Sequence, residues 1–188
     1  KRQICVEDPL REEAADAVRE LKEAGITKVV MMTGDSERTA AAIAKRVGVD
    51  EYYSEVLPED KASFVEKEKE LGHKVIMIGD GINDSLALSS ASVGIAISDG
   101  AAIAREIADV TISADNLHEI VTLKRLSTAL MKRIHNNYRT IIGINGGLIA
   151  LGVTGIIMPT TSALLHNMST LTISLRSMRN LLPKEEEA

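Results

Sequence analysis

The sequence predicts an α/β domain, in which a parallel sheet carries helices on both faces, followed by a two-helix transmembrane hairpin. Residues 1–115 alternate short apolar runs with charged amphipathic segments, the order of elements that a parallel sheet with crossover helices requires. Residues 140–158 then form a run without a charged side chain, and a second run of similar length follows. The net charge of −5 and the aromatic content of 2% argue against a nucleic-acid partner, which needs a basic surface or stacking platforms.

The first half of the α/β domain reads as strand, helix, strand, helix. "ICVEDP" begins as a strand and ends at Asp8 and Pro9, an N-cap followed by a proline at the first helical position of a helix over 10–24. "TKVVMMT" has the continuous apolar pattern of a strand that is covered on both faces, and a helix over 36–47 follows it. A short strand at 52–56 and a helix over 59–71 come next.

The second half repeats this alternation. "HKVIMIG" predicts a buried strand, and a helix is predicted over 83–90. "ASVGIAI" and "ADVTIS" predict two further strands, separated by a helix near 102–108. The expected organisation is an α/β domain at 1–115, a basic connecting helix at 116–139, the hairpin at 140–182 and an acidic tail at 183–188.

Length, charge and glycine content predict the transmembrane hairpin. Residues 140–158 approach the roughly 20 apolar residues that span a bilayer core of about 30 Å. Five glycines in this run would each weaken a soluble helix by about 1 kcal/mol, whereas glycine is common in membrane helices. A buried helix of a soluble core is the alternative. Residues 160–175 carry no acid or base apart from His166, and basic residues flank the pair, which places both outer ends in the cytoplasm.

Polar side chains follow the predicted strands at their carboxyl ends, where open parallel sheets bind ligands. Thr33 follows "VVMM", Asp80 follows "VIMI" and Asp8 follows "CV". Lys61, at the start of a helix, is expected to reach the same edge. These groups suit a phosphoryl group with Mg²⁺, because lysine and threonine bind phosphoryl oxygens and a carboxylate ligates a hard cation.

The segment "GDGINDSLAL" carries the strongest signal. Asp80, Asn83 and Asp84 fall within five residues, and such groups would repel one another unless a cation joined them. Gly79 and Gly81 allow a sharp bend and a close approach of the backbone to an ion. No G-x-x-x-x-G-K-[ST] loop occurs, which argues against a P-loop mechanism.

The segment 33–35 and Lys61 also have ordinary structural interpretations. Thr33, Gly34 and Asp35 taken alone form a common strand-to-helix turn, and Lys61 taken alone is most often a solvated helix residue.

Four motifs in order resemble P-type ATPases: "DPLR" at 8–11, "MMTGD" at 31–35, "PEDK" at 58–61 and "GDGINDSLAL" at 79–88. "VGIAI" and "AREIADV" continue the resemblance. The chain is similar to the carboxyl-terminal portion of a heavy-metal-transporting member of that family, whose phosphorylation domain has a haloacid-dehalogenase-like fold.

The resemblance implies a role for each candidate residue. Asp80 is implied as the Mg²⁺ ligand, while Lys61 contacts the phosphoryl group. The remaining implied positions are Asn83 and Asp84 as supports of the loop and phosphate site, Thr33 and Gly34 as phosphoryl-binding residues, and Asp35, Asp8 and Gly81 as residues near the nucleotide, hinge and cofactor.

The resemblance also implies a function for the complete protein. It implies ATP-driven transition-metal transport through an aspartyl phosphate, with Mg²⁺ and ATP as cofactors, in a bacterial plasma membrane with the α/β part in the cytoplasm. The family's D-K-T-G-T stretch with the phosphorylated aspartate does not occur in this sequence, nor does the nucleotide-binding domain. We therefore expect the chain to be inactive alone and to need the missing N-terminal portion of the same pump.

Two other functions compete with this one. A non-catalytic, membrane-anchored regulatory or split-subunit module keeps the fold without the nucleophile. A soluble phosphatase of the haloacid-dehalogenase type conflicts with both the missing nucleophile and the apolar hairpin.

Three polar residues of the hairpin are expected to line the path of the transported ion: Asn145, His166 and Asn167. Intramembrane polar groups are costly unless they face a partner or a pathway, and hydrogen bonding between helices is the alternative. An imidazole with amide oxygens suits Zn²⁺, Co²⁺ or Mn²⁺ better than Cu⁺.

Overall fold

The computed structural model describes residues 13–79, 83–97, 106–112 and 116–181. The chain divides into two compact units, Lys1–Val121 and Thr122–Ala188. Within its described residues, the first unit contains α1 (Ala14–Glu23), β1 (Val30–Met32), α2 (Glu37–Val47), β2 (Glu51–Tyr53), α3 (Pro58–Glu70), β3 (Ile76–Gly79), α4 (Ser85–Ser90), β4 (Val93–Ile97) and β5 (Val110–Ile112).

This alternation confirms the predicted α/β class. Helix α1 is confirmed from Ala14 onward, while the predicted start at Asp8 and Pro9 lies outside the described residues. Helix α2 ends where the sequence predicts, because Gly48 adopts a left-handed φ of 79° that an L-residue rarely adopts. Helix α4 begins at Ser85, two residues later than predicted.

The strands pair in parallel, as predicted, but they form two sheets. Strand β1 pairs with β2, and β3, β4 and β5 pair in that order. In the described ranges no ladder joins β1 to β3, so the single sheet expected from the sequence is not formed by these residues alone. Strand β2 stops at Tyr53 rather than 56, because Glu55 turns the backbone with a left-handed φ of 53°.

A small apolar cluster fixes α3 and α4 beside β3. It consists of Val65, Met77, Ala87 and Leu88, whose exposed fractions run from 0% to 8%. Helix α4 also lies close to β4, because Gly94 has no side chain. A Cβ at that position would lie 2.6 Å from the carbonyl oxygen of Leu88. The cluster therefore holds the start of α4 at the carboxyl end of β3.

Two helices, α5 (His118–Val153) and α6 (Pro159–Ser177), account for the rest of the described chain. The basic segment predicted at 116–139 and the apolar run from 140 form one continuous helix. The apolar helix ends at Val153 and not at 158, because Gly155 adopts a left-handed φ of 73°.

Across the described ranges, no helix combines the length and the apolar content of a membrane span. The transmembrane character of the hairpin therefore stays a prediction.

Polar contacts tie the two helices of the hairpin together at the end opposite the turn. The Arg133 guanidinium donates to the carbonyl oxygens of Ser177 at 2.9 Å, of Arg179, and of Asn180 at 3.0 Å. Asn137 Nδ2 donates to Ser177 Oγ at 2.6 Å. The last carbonyl groups of a helix lack partners within the helix, so a cation at this end satisfies them and complements the helix dipole.

Replacing Leu88 tests the apolar cluster. Leu88→Ala should lower the free energy of unfolding by about 2–5 kcal/mol, because the side chain is 1% exposed and its removal leaves a cavity. Leu86→Ala is the matched control on the same helix. Leu86 is 54% exposed, so its change should stay within about 0.5 kcal/mol. Urea titrations followed by circular dichroism measure both, and equal losses would contradict this description of the core.

Candidate active site at the strand ends

An ion pair between Lys61 and Asp84 lies at the carboxyl end of β3. Lysine Nζ is 2.7 Å from aspartate Oδ1, and the two side chains are 14% and 12% exposed. Lys61 belongs to the first turns of α3, and Asp84 directly precedes α4. Asp84 is buried, and among the described residues it is the one polar or charged residue that is. The sequence placed both residues at this edge, and the structure brings them into contact.

Burial makes each partner depend on the other. A carboxylate removed from water is costly unless a cation and further hydrogen bonds compensate it. Removing one partner of a buried pair typically costs about 3–5 kcal/mol, because the other charge is left uncompensated. The pair therefore holds a lysine ammonium group in a fixed position, with most of its surface shielded from water.

Gly79 makes room for this pair. A Cβ built on Gly79 would lie 2.5 Å from Asp84 Oδ2 and 2.8 Å from Asp84 Cβ, distances that real Cβ atoms do not show. The carboxylate thus packs directly over the last residue of β3. The sequence predicted a sharp bend at Gly79. In the structure, Gly79 also leaves the space in which the Asp84 carboxylate packs.

A second loop follows β1 and is held by β2. Thr33 N donates to the Tyr53 carbonyl oxygen at 3.0 Å, Val56 N donates to the Thr33 carbonyl oxygen at 3.0 Å, and Glu55 N donates to the Asp35 carbonyl oxygen at 2.9 Å. Within the loop, Thr33 Oγ1 donates to Asp35 Oδ2 at 3.0 Å and accepts a hydrogen bond from Asp35 N at 3.1 Å. The half-buried Thr33 hydroxyl is therefore already oriented by its neighbour.

Glu37 braces the same loop and was missed in the sequence. Tyr52 Oη donates to one carboxylate oxygen at 2.7 Å and Ser54 Oγ donates to the other at 2.5 Å. The Ser54 hydroxyl, and secondarily the Tyr52 hydroxyl, lowers the pKa of Glu37 by stabilising its charged form. Tyr52 and Ser54 are two residues apart, which puts them on one side of an extended segment, and that spacing is the signal that could have revealed them.

A polar contact of another kind joins the two helices of the second unit. Asn145 Oδ1 and His166 Nδ1 are 2.8 Å apart. Both line an open cavity of about 590 Å³, in which His166 is exposed. Its lining residues are Asn145, Leu148, Ile149, Gly152 and Val153 from α5 and Pro159, Ser162, Ala163 and His166 from α6. Asn167, the third residue expected on the ion path, is exposed and is not among them.

Comparisons with known proteins indicate the family to which this chain is related. A family model described as "Hydrolase: haloacid dehalogenase-like hydrolase" matches residues 1–92. A zinc-exporting P-type ATPase of Mycobacterium marinum is 37% identical over 177 residues, which cover 94% of this chain and 24% of that protein. A copper-exporting P-type ATPase of Staphylococcus aureus is 36% identical over 189 residues, which cover 98% of this chain and 23% of that protein. This chain is a homologue of heavy-metal P-type ATPases.

The structural comparison supports the same relationship. The crystal structure of a zinc-transporting PIB-type ATPase in the E2.Pi state matches with a TM-score of 0.85 and 34% sequence identity, covering 94% of this chain and 28% of that one. The haloacid-dehalogenase-like α/β fold expected from the sequence is thus confirmed. This chain spans about a quarter of the length of the curated relatives it matches.

The other site residues predicted from the sequence of this chain fall into three groups. Gly34 and Asp35 are exposed in the loop after β1, and Asn83 is exposed beside Asp84. Asp8, Asp80 and Gly81 lie outside the described residues. In the ranges that are described, no group of three histidine, cysteine or acidic residues could hold a metal ion.

The donor set of the strand-end site nevertheless fits Mg²⁺. Carboxylate and carboxamide oxygens such as those of Asp84 and Asn83 are the hard ligands that this ion prefers. Asp84 Oδ1 is engaged by Lys61 in this structure, so a cation at this edge has to draw on other oxygen atoms as well.

Substitution of Gly79 tests the packing beneath Asp84. Gly79→Ala should lower the free energy of unfolding by about 1–3 kcal/mol, because the new Cβ overlaps the Asp84 carboxylate and displaces it from Lys61. Gly34→Ala is the control, since its Cβ meets only the Val56 carbonyl oxygen at 3.9 Å and should change stability by less than about 0.5 kcal/mol. Urea titration compares the two, and an equally small effect of both would show that Asp84 does not pack over β3.

Acid titration tests the brace at Glu37. Because hydrogen bonds lower the pKa of this carboxyl from 4.5, the charged form stabilises the fold fully above pH 4.5, and this contribution is lost as pH falls through the lowered pKa. The stability difference between wild type and Glu37→Gln should therefore be largest near neutral pH and shrink in acid. If the stability difference between wild type and Glu37→Gln did not change with pH, the hydrogen bonds to the charged Glu37 would not stabilise the fold.

Proposed function

We propose that this chain is part of an ATP-driven transition-metal pump that works through an aspartyl phosphate. The observation that carries the proposal is the shielded Lys61–Asp84 pair over Gly79 at the carboxyl end of β3. Phosphoryl transfer depends mainly on positioned positive charge and hydrogen-bond donors around the transferred group. A lysine that is fixed by a buried carboxylate meets that requirement.

Each strand-end residue then has a role in binding or support. Lys61 Nζ and Thr33 Oγ1 bind phosphoryl oxygens, with Thr33 exchanging the Asp35 carboxylate for the phosphoryl group, and the Gly34 backbone lies against the same group. Asp84 keeps Lys61 in position and Asn83 supports the loop. Asp80 would ligate Mg²⁺, which would supply positive charge to the phosphoryl oxygens. The residues assigned to the nucleotide, hinge and cofactor are Asp35, Asp8 and Gly81.

The phosphorylated aspartate and the nucleotide-binding domain are proposed to belong to another portion of the pump. The chain has no D-K-T-G-T stretch, and it spans about a quarter of the curated relatives. ATP is accordingly bound mainly outside this chain, which is inactive alone.

The hairpin is proposed to lie in a bacterial plasma membrane, with the first unit in the cytoplasm. Residues 140–175 carry no charged side chain other than His166 when it is protonated, and basic residues flank them. The polar side chains of α6 need other helices of the complete pump to cover them. The cavity with Asn145 and His166 is proposed as part of the ion path, with Asn167 beside it. Its nitrogen and oxygen donors favour a borderline divalent ion such as Zn²⁺, Co²⁺ or Mn²⁺ over Cu⁺.

One alternative is a non-catalytic membrane-anchored regulatory or split-subunit module, which would keep the fold without a D-K-T-G-T stretch. The reading frame upstream of Lys1 separates the two functions. A continuous frame that encodes D-K-T-G-T supports the pump, and its absence supports the module.

Phosphorylation of the complete pump tests the strand-end assignments. Lys61→Met and Asp80→Asn should each lower the acid-stable phosphoenzyme formed from labelled ATP by at least about 100-fold, because a charge-stabilising group or a cation ligand is lost. Lys67→Met, at an exposed position on the same helix, is the matched control and should keep the wild-type level. The isolated chain should take up no label.

Wild-type phosphoenzyme levels in both Lys61→Met and Asp80→Asn would make the strand-end cluster purely structural. Label on the isolated chain would instead place a nucleophile within these 188 residues.

A further inference from the structure

We propose that Asn145 is a positioning residue for His166, and that it presents the Nε2 atom of the imidazole to the transported ion. The inference rests on the proposed function, since the ion is the cargo of the pump. It assigns different roles to two residues that the sequence placed together as ligands. Asn145 acts through the histidine ring, and His166 supplies the coordinating atom.

The geometry of the contact sets the state of the ring. Asn145 Oδ1 lies 2.8 Å from His166 Nδ1, and an amide oxygen accepts hydrogen bonds but cannot donate them. With the amide oriented in this way, Nδ1 carries the proton and donates a hydrogen bond to Asn145 Oδ1. In a neutral imidazole the proton resides on one nitrogen only, so the lone pair is left on Nε2. A hydrogen bond of this kind from the second nitrogen is the usual way in which proteins orient a metal-binding histidine.

The free nitrogen has no competing partner within the described residues. Nδ1 is the ring atom that makes the contact with Asn145. The hydroxyl groups of Ser169 and Thr170, which share the helix face of His166, donate to the His166 carbonyl oxygen at 2.8 Å and 3.1 Å. Their hydrogens are thus directed at the backbone and not at the ring. Nε2 is left available for an ion.

The surroundings of His166 leave space for an ion and for further ligands. In the lining of the open cavity of about 590 Å³, the small residues Gly152, Ser162 and Ala163 lie beside the two polar side chains, and larger apolar residues complete it. No three-residue metal site occurs in the described ranges, so Nε2 supplies one ligand and the rest of the pump supplies the others.

The two roles predict a specific pattern of activation by Zn²⁺ in the complete pump. Asn145→Leu should raise the Zn²⁺ concentration for half-maximal ATPase activity by about 10–100-fold, the usual effect of losing an orienting partner. Asn145→Asp keeps an acceptor for Nδ1 and should stay close to wild type. His166→Leu should raise this Zn²⁺ concentration at least as much as Asn145→Leu does. The double variant should have the same value as His166→Leu, because Asn145 has no effect without the ring. Asn136→Leu makes the same change at an exposed position of α5 outside the cavity, and it should have no effect.

The tautomer of His166 provides a readout that does not depend on activity. Nitrogen NMR of the metal-free pump with labelled histidine, with His166→Leu used to assign the signal, should show the proton on Nδ1 in wild type and in Asn145→Asp. In Asn145→Leu the signal should move toward the tautomer protonated at Nε2.

Two results would overturn the inference. Additive losses in the double variant would make Asn145 an independent ligand, and a proton on Nε2 in wild type would mean that Asn145 donates its amide to the ring. A pump that no divalent ion stimulates would contradict the proposed function instead. In that case the tautomer alone decides the role of Asn145.

Discussion

The contact between Lys61 and Asp84 is the constraint on which the strand-end site depends. Lys61 belongs to α3 and Asp84 directly precedes α4, and both side chains are shielded from water. Their contact requires α3 and α4 to lie side by side at the end of β3, which the packing of Val65, Met77 and Leu88 achieves. It also requires a residue without a side chain at position 79, since any Cβ there would occupy the place of the carboxylate. Apolar packing, one glycine and one ion pair thus fix the position of a single ammonium group.

The loop after β1 is built on a similar principle with different groups. An acidic residue, Glu37, is held by two hydroxyl groups of the neighbouring strand segment, and three backbone hydrogen bonds join the two segments. Glu55 completes the arrangement with a left-handed backbone, a conformation that costs an ordinary residue about 1 kcal/mol or more. In both loops a carboxylate is held by neighbouring donors, Asp84 by Lys61 and Glu37 by the hydroxyl groups of Tyr52 and Ser54. Such fixed donors are what phosphoryl transfer needs, because they do not have to reorganise during the reaction.

The sequence predicted the features that depend on local pattern and failed on those that depend on contacts. Alternating apolar runs revealed the strands and helices, and the segment 79–88 pointed to Asp84, which the structure places in a buried ion pair. The brace at Glu37 was missed because its partners, Tyr52 and Ser54, are distant in sequence and have ordinary residue types. The end of α5 at Val153 was misplaced because an uncharged run continues to 158, while the turn depends on the conformation of Gly155. The division into two sheets could not be foreseen either, since hydrophobic pattern gives the strands but not their neighbours.

A structure of the complete pump with Mg²⁺ and beryllium fluoride, which imitates a phosphoryl group on an aspartate, tests the central claim most directly. The account predicts fluoride atoms within hydrogen-bond distance of Lys61 Nζ and Thr33 Oγ1, with Lys61 still paired to Asp84 and Asp84 still packed on Gly79. A phosphoryl mimic bound away from both residues, or a Lys61 side chain that points into solvent while Asp84 stays buried, would contradict it.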